Sequence, residues 1–313
     1  MLSRIADSLF WLNRYMERAD SIARVIKTNY VLSLDKGVND SLNWRPVLEL
    51  FAAINEDKIV LAENNPEEAM KLLILNQNNI NSVKAIVTRA RENARGVQDH
   101  VTKEVWEQVN QLFHAINQPA FSRKLNNYNA LEALDIISKN LVMYAGVTET
   151  TMPRGLGWSF MNLGRHIERC LLTIEMASRE YKLIDYDLEN YKDILQWRYL
   201  LLSLSGYELY LKNYRSQNHN LNVLHQVIFN PVFTRSLTYS LGRVEKYLNY
   251  VISENSYHEN TCLLRNFGQL YSLVKYTDYE SFDKSSMEKF FSDIKEQILV
   301  FSNLLGQNFF SYN

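Results

Sequence analysis

The spacing of apolar residues in the first 26 positions constrains this chain more than any other feature of its sequence. The apolar residues follow one another in alternating steps of three and four: Leu2, Ile5, Leu9, Leu12, Met16, Ala19, Ala23 and Ile26. This spacing places all of them on one face of an α-helix. Because helices in proteins owe most of their stability to the burial of such a face, the opening segment predicts a helix that packs against other helices.

The composition extends this interpretation to the whole chain. Its 313 residues include only 10 glycines and 5 prolines, which are too few for a turn-rich β protein. Long segments carry the helical period instead, so we predict an all-α fold, a bundle of about ten helices in which two long helices repeat one another. We expect residues 1–313 to form one helical domain, organised as two related halves, 1–150 and 151–313.

Charge and cysteine usage exclude several classes of protein. The formal net charge is −1 and the pI is about 6.6, which argues against a protein that grips a nucleic acid backbone. Cys170 and Cys262 have no Cys or His partner at zinc spacing, so we expect no metal and a reducing compartment. Arg4, Asp7 and Arg14 interrupt the apolar stretch that a secretory signal needs, and no apolar run reaches the roughly 18 residues of a membrane span. We therefore predict a cytoplasmic protein that uses no cofactor and binds neither nucleic acid nor a membrane.

A charged cluster lies on another face of the first helix. Glu17 is three residues from Arg14 and next to Arg18, so two cations surround one anion, and Trp11 shares the face of Arg14. An arginine carries five N–H donors, and two arginines around one carboxylate keep donors for a further acceptor. That acceptor is a carboxylate on a neighbouring helix, a backbone carbonyl, water or an anionic ligand. Two interpretations stand side by side: a network of ion pairs on an internal or solvated face, and a ligand-binding site.

A second charged cluster occupies a later helix. Arg91 and Arg95 are one helical turn apart, with Glu92 and Asn93 between them. Two cations and one anion again share a short helical surface. We expect Gly96 to bend or end this helix.

Helix ends are predicted from residues with strong end preferences. Asn65 is expected to cap a helix whose first residue is Pro66, and Thr102 is expected to cap another. Pro119 is expected to separate that second helix from the next long one.

The opening motif returns in the second half of the chain. Five positions match when the two segments are aligned on Glu-Arg: Ser8 with Ser159, Leu12 with Leu163, Arg14 with Arg165, Glu17 with Glu168, and Arg18 with Arg169. Such a spaced match indicates an internal repeat. The candidate ligand-binding residues are therefore Arg14, Glu17, Arg18, Arg91, Glu92, Asn93, Arg95, Arg165, Glu168 and Arg169.

A shorter echo of the motif appears later, at Leu241-Gly242-Arg243. Lys246 stands there at the position of the glutamate. The echo is either a degraded third copy or a coincidence of helical composition.

Other residues near the second motif favour structural roles. Gly155 and Gly157 fit either an anion-binding helix start or a tight packing contact. His166 has no second ligand at metal spacing, so we interpret it as a structural or surface residue. The tyrosine-rich helices beyond Asp185 are interpreted as core, and the remaining histidines show no readable spacing.

Four segments together resemble the bacterial alpha-E family, which is named for an all-helical domain with an ER motif. They are LSRIADSLFWLNRYMERADSIAR, RARENARGVQDHVTKEVWEQVN, RGLGWSFMNLGRHIERC and NPVFTRSL. The family's ER pair falls on Glu17 and Arg18 and again on Glu168 and Arg169, and its arginine-rich helix falls on residues 91–95.

The resemblance also implies partners. Members of the family are typically encoded beside a circularly permuted ATP-grasp protein and a transglutaminase-like cysteine peptidase, which implies a role in making or trimming amide bonds. The family's Asn-Pro-Arg-Ser segment is stretched here, because three residues separate Pro231 from Arg235. That departure weakens a functional role for Arg235.

Three functions fit these observations. The first, which we prefer, is an accessory or scaffold protein that binds the ATP-grasp partner and an anionic intermediate. The second is an enzyme of that pathway that uses Glu17 or Glu168 as a general acid or base; nearby cations lower the pKa of a carboxylate, which makes it a poor acid but leaves it usable as a weak base. The third is a structural module whose charged clusters fix the register of the two halves. The sequence leaves open whether the chain is catalytic.

Overall fold

The computed structural model describes residues 1–35, 43–125, 129–189, 193–215, 218–254 and 260–310. These residues form fifteen α-helices and no strand, so the all-α class is confirmed. The number of helices exceeds the expected ten or so because several have only six or seven residues, fewer than two turns. No helix in these residues has both the length and the apolar content to cross a membrane.

The chain divides into two compact units. The N-terminal unit comprises Trp11–Arg154, and the C-terminal unit combines Met1–Phe10 with Gly155–Asn313. The first helix, α1 (Ser3–Asp35), supplies residues to both. The other helices of the N-terminal unit are α2 (Arg45–Phe51), α3 (Glu56–Ala62), α4 (Pro66–Ile74), α5 (Val83–Gly96), α6 (Lys103–Asn117), α7 (Pro119–Lys124) and α8 (Ala130–Thr151).

The C-terminal unit is built around its longest helix, α9 (Leu156–Leu183). The helices that follow are α10 (Ile194–Ser203), α11 (Tyr207–Asn213), α12 (His219–Leu224), a π-helical turn (His225–Phe229), α13 (Leu237–Ser253), α14 (Thr261–Lys275) and α15 (Lys284–Phe309). Both α13 and α15 pack along α9, and α14 packs on both of them. Aromatic rings fill the space beside the first turns of α9, where Phe160 contacts Phe309 and Phe310.

The long helices of the N-terminal unit run antiparallel. The hydroxyls of Thr102 and Thr151 are 2.7 Å apart, so the start of α6 meets the end of α8. Further along α1, Lys27 forms an ion pair with Asp135 at 2.6 Å, on the first turns of α8. Both α1 and α6 therefore run antiparallel to α8 within this unit.

The predicted apolar face of α1 is buried. Leu9, Leu12, Ala19 and Ile26 have no exposed surface. Leu2 departs from the pattern with 68 % exposure, because it precedes the first helical residue, Ser3.

The predicted helix ends are also found. The side chain of Asn65 accepts hydrogen bonds from the backbone N–H groups of the first turn of α4, and Thr102 caps α6 in the same way. The helix α5 ends at Gly96. Pro119 is the first residue of α7, two residues beyond the end of α6.

Candidate functional site

In the first Glu-Arg segment Arg14 and Glu17 are buried, whereas Arg18 is half-buried. Arg14 is 6 % exposed and Glu17 is 5 % exposed. The guanidinium of Arg14 lies 4.6 Å from the centre of the Trp11 ring, which is a cation–π contact along one face of α1. Arg18 donates a hydrogen bond from Nη1 to Oδ1 of Asn81 at 3.4 Å, so it reaches the residues that lead into α5.

The residue beside Arg14 fixes this part of α1 against α8. The hydroxyl of Tyr144 donates a hydrogen bond to Oδ1 of Asn13, and both side chains are 4 % exposed. A buried hydrogen bond of this kind holds two helices in one register. The position of Arg14 is therefore set by packing within the N-terminal unit.

The second cluster lies on the surface of α5 and contacts α6. Arg91 donates from Nε to Oδ1 of Asn110 at 2.6 Å, and its guanidinium lies 4.6 Å from the centre of the Phe113 ring. Arg95 and Glu92 form an ion pair at 2.7 Å with both side chains exposed. The structure thus joins the charged members of this cluster to one another, as the spacing predicted.

The second cluster and the contact made by Arg18 lie at different heights along α5. Arg91 is eight residues beyond Val83, the first residue of α5, which corresponds to about 12 Å along a helix axis. Arg18 contacts Asn81, just before that first residue. Asn93 is half-buried on the same helix.

The second Glu-Arg segment is buried in the middle of α9. Glu168 is 2 % exposed and Arg169 is 7 % exposed, whereas Arg165 is half-buried. Arg169 donates from Nη1 to the carbonyl oxygen of Thr234 at 3.1 Å. One turn later, the hydroxyl of Thr173 donates to the carbonyl oxygen at position 235 at 3.0 Å. Two side chains of α9 therefore hold the backbone of the turn that precedes α13.

This turn is the stretched Asn-Pro-Arg-Ser segment, and its shape follows from its first and last residues. Oδ1 of Asn230 accepts hydrogen bonds from the N–H groups of Val232 and Phe233, at 2.8 and 3.1 Å. The hydroxyl of Ser236 donates to the carbonyl oxygen of Asn230 and caps α13. The extra residues are thus accommodated in an ordered turn, which places Arg235 directly before the helix cap.

Cys170 follows Arg169 directly and is the nearest thiol to the second Glu-Arg pair in sequence. Burial raises the pKa of its thiol to about 12, although the charge of Arg169 acts in the opposite direction. A thiol with this pKa is protonated at neutral pH, and only the thiolate is a strong nucleophile. Cys170 is therefore a poor nucleophile in the folded protein.

Two other residues near the second motif have structural contacts. His166 is 5 % exposed and stacks on the ring of Tyr247. A Cβ atom added at Gly157 would lie 3.2 Å from Cδ1 of Leu9. This close approach supports the packing explanation for that glycine.

The structure reveals a group of tyrosines and histidines that the sequence analysis missed. The hydroxyl of Tyr210 lies 2.7 Å from Nδ1 of His219, and that of Tyr214 lies 2.6 Å from Nδ1 of His225. Burial lowers the pKa of His225, which begins the π-helical turn. The partners come from α11 and from the segment after it, so no helical period connects them. One of the two histidines begins a π-helical turn, and a hydropathy pattern does not predict such a turn.

A half-buried carboxyl on α9, that of Glu180, was also missed. Burial raises the pKa of Glu180 to about 7, and the charge of Arg179 opposes the shift. The group titrates near neutral pH, and it lies eleven residues beyond Arg169, outside both Glu-Arg segments.

The ten candidate residues therefore fall into three local groups, and their joint role in ligand binding stays a prediction. Two groups belong to the N-terminal unit and one to the C-terminal unit. Among the residues that the structure describes, no group of three or more His, Cys, Asp and Glu side chains is arranged to hold a metal ion.

A family model matches residues 1–310 of the chain, and its description is a predicted alpha-helical domain with a conserved ER motif. The dipeptide Glu-Arg occurs twice in the chain, at positions 17–18 and 168–169. No curated protein and no solved structure matches the chain.

The two thiols are expected to differ in reactivity. Cys170 is buried and Cys262 is exposed, so the folded protein should expose one reactive thiol to a disulfide reagent between pH 7 and 9, and the denatured protein should expose two. Titration with and without denaturant measures this directly, and the Cys262→Ser variant should leave no fast-reacting thiol. Rapid modification of Cys170 in that folded variant would contradict the assignment.

Proposed function

Because this chain belongs to the Alpha-E family, we propose that it works as a non-catalytic accessory protein that binds an anionic group through its buried Glu-Arg segments. The anionic group is a carboxylate or a phosphate on a peptide or amino-acid intermediate. The intermediate is made or trimmed by an enzyme with which this protein associates.

The observation that carries the proposal is the burial of Arg14 and Arg169, at 6 % and 7 % exposure. Arginine is rarely buried to this extent, and when it is, the charge is paired or serves a site. A guanidinium attracts an anion more strongly in a protein interior than in water, because the effective dielectric constant is lower. Its planar fork also matches the two oxygens of a carboxylate or phosphate.

The thiol chemistry favours binding over covalent catalysis. Cys170 is adjacent to Arg169, which would ordinarily lower the pKa of a thiol, yet burial outweighs that effect and raises the pKa to about 12. A protein that used this cysteine as a nucleophile would need the opposite balance. The surroundings of the second Glu-Arg pair therefore favour non-covalent binding of a ligand over nucleophilic attack on it by this thiol.

The proposed partners are a circularly permuted ATP-grasp protein and a transglutaminase-like peptidase. The resemblance of the four motif segments supports this part of the proposal. Both cysteines are free thiols, which suits the reducing cytoplasm of a bacterium.

A structural role is the second candidate, and the contacts of α9 favour it. The hydrogen bonds from Arg169 to the carbonyl of Thr234 and from Thr173 to the following carbonyl fix the turn before α13. In this second candidate function, the buried Arg169 stabilises the fold and binds no ligand. The two candidates predict different results for ligand binding and for stability.

Anion binding should depend on Arg14. In calorimetric titrations of the full chain at constant ionic strength, we expect inorganic phosphate or N-acetylglycine to bind saturably to the wild type. The Arg14→Met variant should bind roughly ten- to a hundredfold more weakly, because hydrogen bonds to a charged group contribute about 1.5–3 kcal/mol. Arg265→Met removes an exposed arginine of α14 and serves as the control. Equal affinity in all three proteins would rule out this binding role for Arg14.

Association with the partner should be independent of the glutamates. The wild type and the Glu17→Gln/Glu168→Gln double variant should both form a complex with the ATP-grasp protein at micromolar concentrations, and the double variant should still support product formation in a reconstituted reaction. Loss of product with the complex intact would instead favour the enzyme hypothesis. The partner proposal would be wrong if neither protein formed a complex.

The free energy of unfolding should fall further when Arg169 loses all of its hydrogen-bond donors than when it keeps one. Arg169→Met leaves the carbonyl of Thr234 without this donor, so we expect the free energy of unfolding to fall by about 1–3 kcal/mol. Arg169→Lys keeps a donor and should lose less. Denaturant unfolding measures both, with Arg265→Met as the control. A stability loss without any effect on anion affinity would support the structural candidate, whereas unchanged stability would exclude it.

A further inference from the structure

From the surroundings of Arg243 on α13, we infer that this arginine is the centre of a further anion-binding site in the C-terminal unit. The site is distinct from the Glu-Arg segments and stands on its own contacts. It takes a carboxylate or a phosphate group.

Arg243 is held between two aromatic rings of its own helix. Tyr239 and Tyr247 are four residues before and after it, so all three side chains share one face of α13. The guanidinium carbon lies 6.0 Å from the centre of the Tyr239 ring and 5.5 Å from that of the Tyr247 ring. Nη2 donates to the hydroxyl of Tyr247 at 3.1 Å. These contacts orient the guanidinium before any ligand arrives, which reduces the entropy cost of binding.

The hydrogen-bonding capacity of Arg243 is largely unused within the residues that the structure describes. Its Nε–H is buried and has no acceptor there, and the hydroxyl of Tyr247 accepts one of the five donors. A buried donor on a charged group is costly to leave unsatisfied. Nε and a neighbouring Nη together present the edge that binds two oxygens of one anion.

A second cation lies beside Tyr247. Lys246 stands three residues after Arg243, the spacing at which both Glu-Arg segments carry a glutamate. Its Nζ lies 5.9 Å from the centre of the Tyr247 ring. Because the oxygen of Tyr247 accepts from Arg243, the hydroxyl proton of that tyrosine is available to an anion. On the facing helix α9, His166 stacks its ring on that of Tyr247, and the centre of its ring lies 6.3 Å from the centre of the Tyr239 ring.

These surroundings decide the class of ligand. The site combines a guanidinium, an ammonium and tyrosine hydroxyls, and the exposed Glu245 lies two residues from Arg243, on a different side of the helix. A carboxylate or phosphate would accept from the guanidinium edge, and the tyrosine rings would flank it. A cationic or apolar ligand would leave the donors unmet.

The test uses the full chain with inorganic phosphate and with acetate, at constant ionic strength, by calorimetry and by thermal unfolding. The two anions distinguish a phosphate ligand from a carboxylate ligand. Arg243→Met should weaken the preferred anion about tenfold or more, and Arg243→Lys should retain part of the affinity because it keeps the charge and loses the fork. Arg265→Met, an exposed arginine in the same unit, should bind as the wild type does.

Two further variants distinguish a loss of binding at Arg243 from a loss of folding and from binding at the Glu-Arg segments. Tyr247→Phe keeps the ring and removes the hydroxyl, so it should fold and still lose several-fold in affinity. Arg14→Met reports on the first Glu-Arg segment: because the two sites are separate, each single variant should lose binding at one site and keep it at the other, and the double variant should lose both. The inference is overturned if folded Arg243→Met and Tyr247→Phe both bind phosphate and acetate as the wild type does, or if neither anion binds the wild type saturably.

Discussion

The contact between α9 and α13 is the constraint on which the C-terminal unit depends. His166 lies level with the middle of α13, whereas Arg169 and Thr173 reach the turn before its first residue. The two helices are therefore antiparallel, and their register is fixed by hydrogen bonds from side chains to backbone carbonyls. Because the turn cannot shift along α9 without breaking those bonds, Ser236 is held where it caps α13. The positions of Tyr239, Arg243 and Tyr247 follow from that cap by helical geometry.

The parts of the fold that the sequence predicts are those that depend on nearby residues. The apolar stripe of α1 and the cap at Asn65 involve positions within one or two helical turns, so they can be recognised without knowing the rest of the structure. The short helices α7 and α11 have six and seven residues, which is too short for a hydropathy period. The pairing of α9 with α13 depends on contacts between residues about 65 positions apart, and no local pattern specifies which helices will meet.

The same limit applies to the candidate site. The ion pair of Glu92 with Arg95 follows from helical spacing. The hydrogen bond from Arg91 to Asn110 does not, because it joins two helices. The pair formed by Tyr214 and His225 is harder still to predict, since it joins the residue after α11 to the first residue of a π-helical turn, which hydropathy does not signal. Sequence reasoning thus found the charged residues and missed most of the partners that give them their environment.

The surroundings of Arg243 differ from those of the arginines in the two Glu-Arg segments. In both Glu-Arg segments an arginine is followed three residues later by a glutamate, and such a neighbour can satisfy part of the guanidinium within the same helix. Three residues after Arg243 stands Lys246, and the next residue is Tyr247. Arg243 is half-buried between two tyrosines, one of which packs on α9. Because the residue at the glutamate spacing is a second cation, the anion inferred to bind Arg243 must come from outside this turn of the helix.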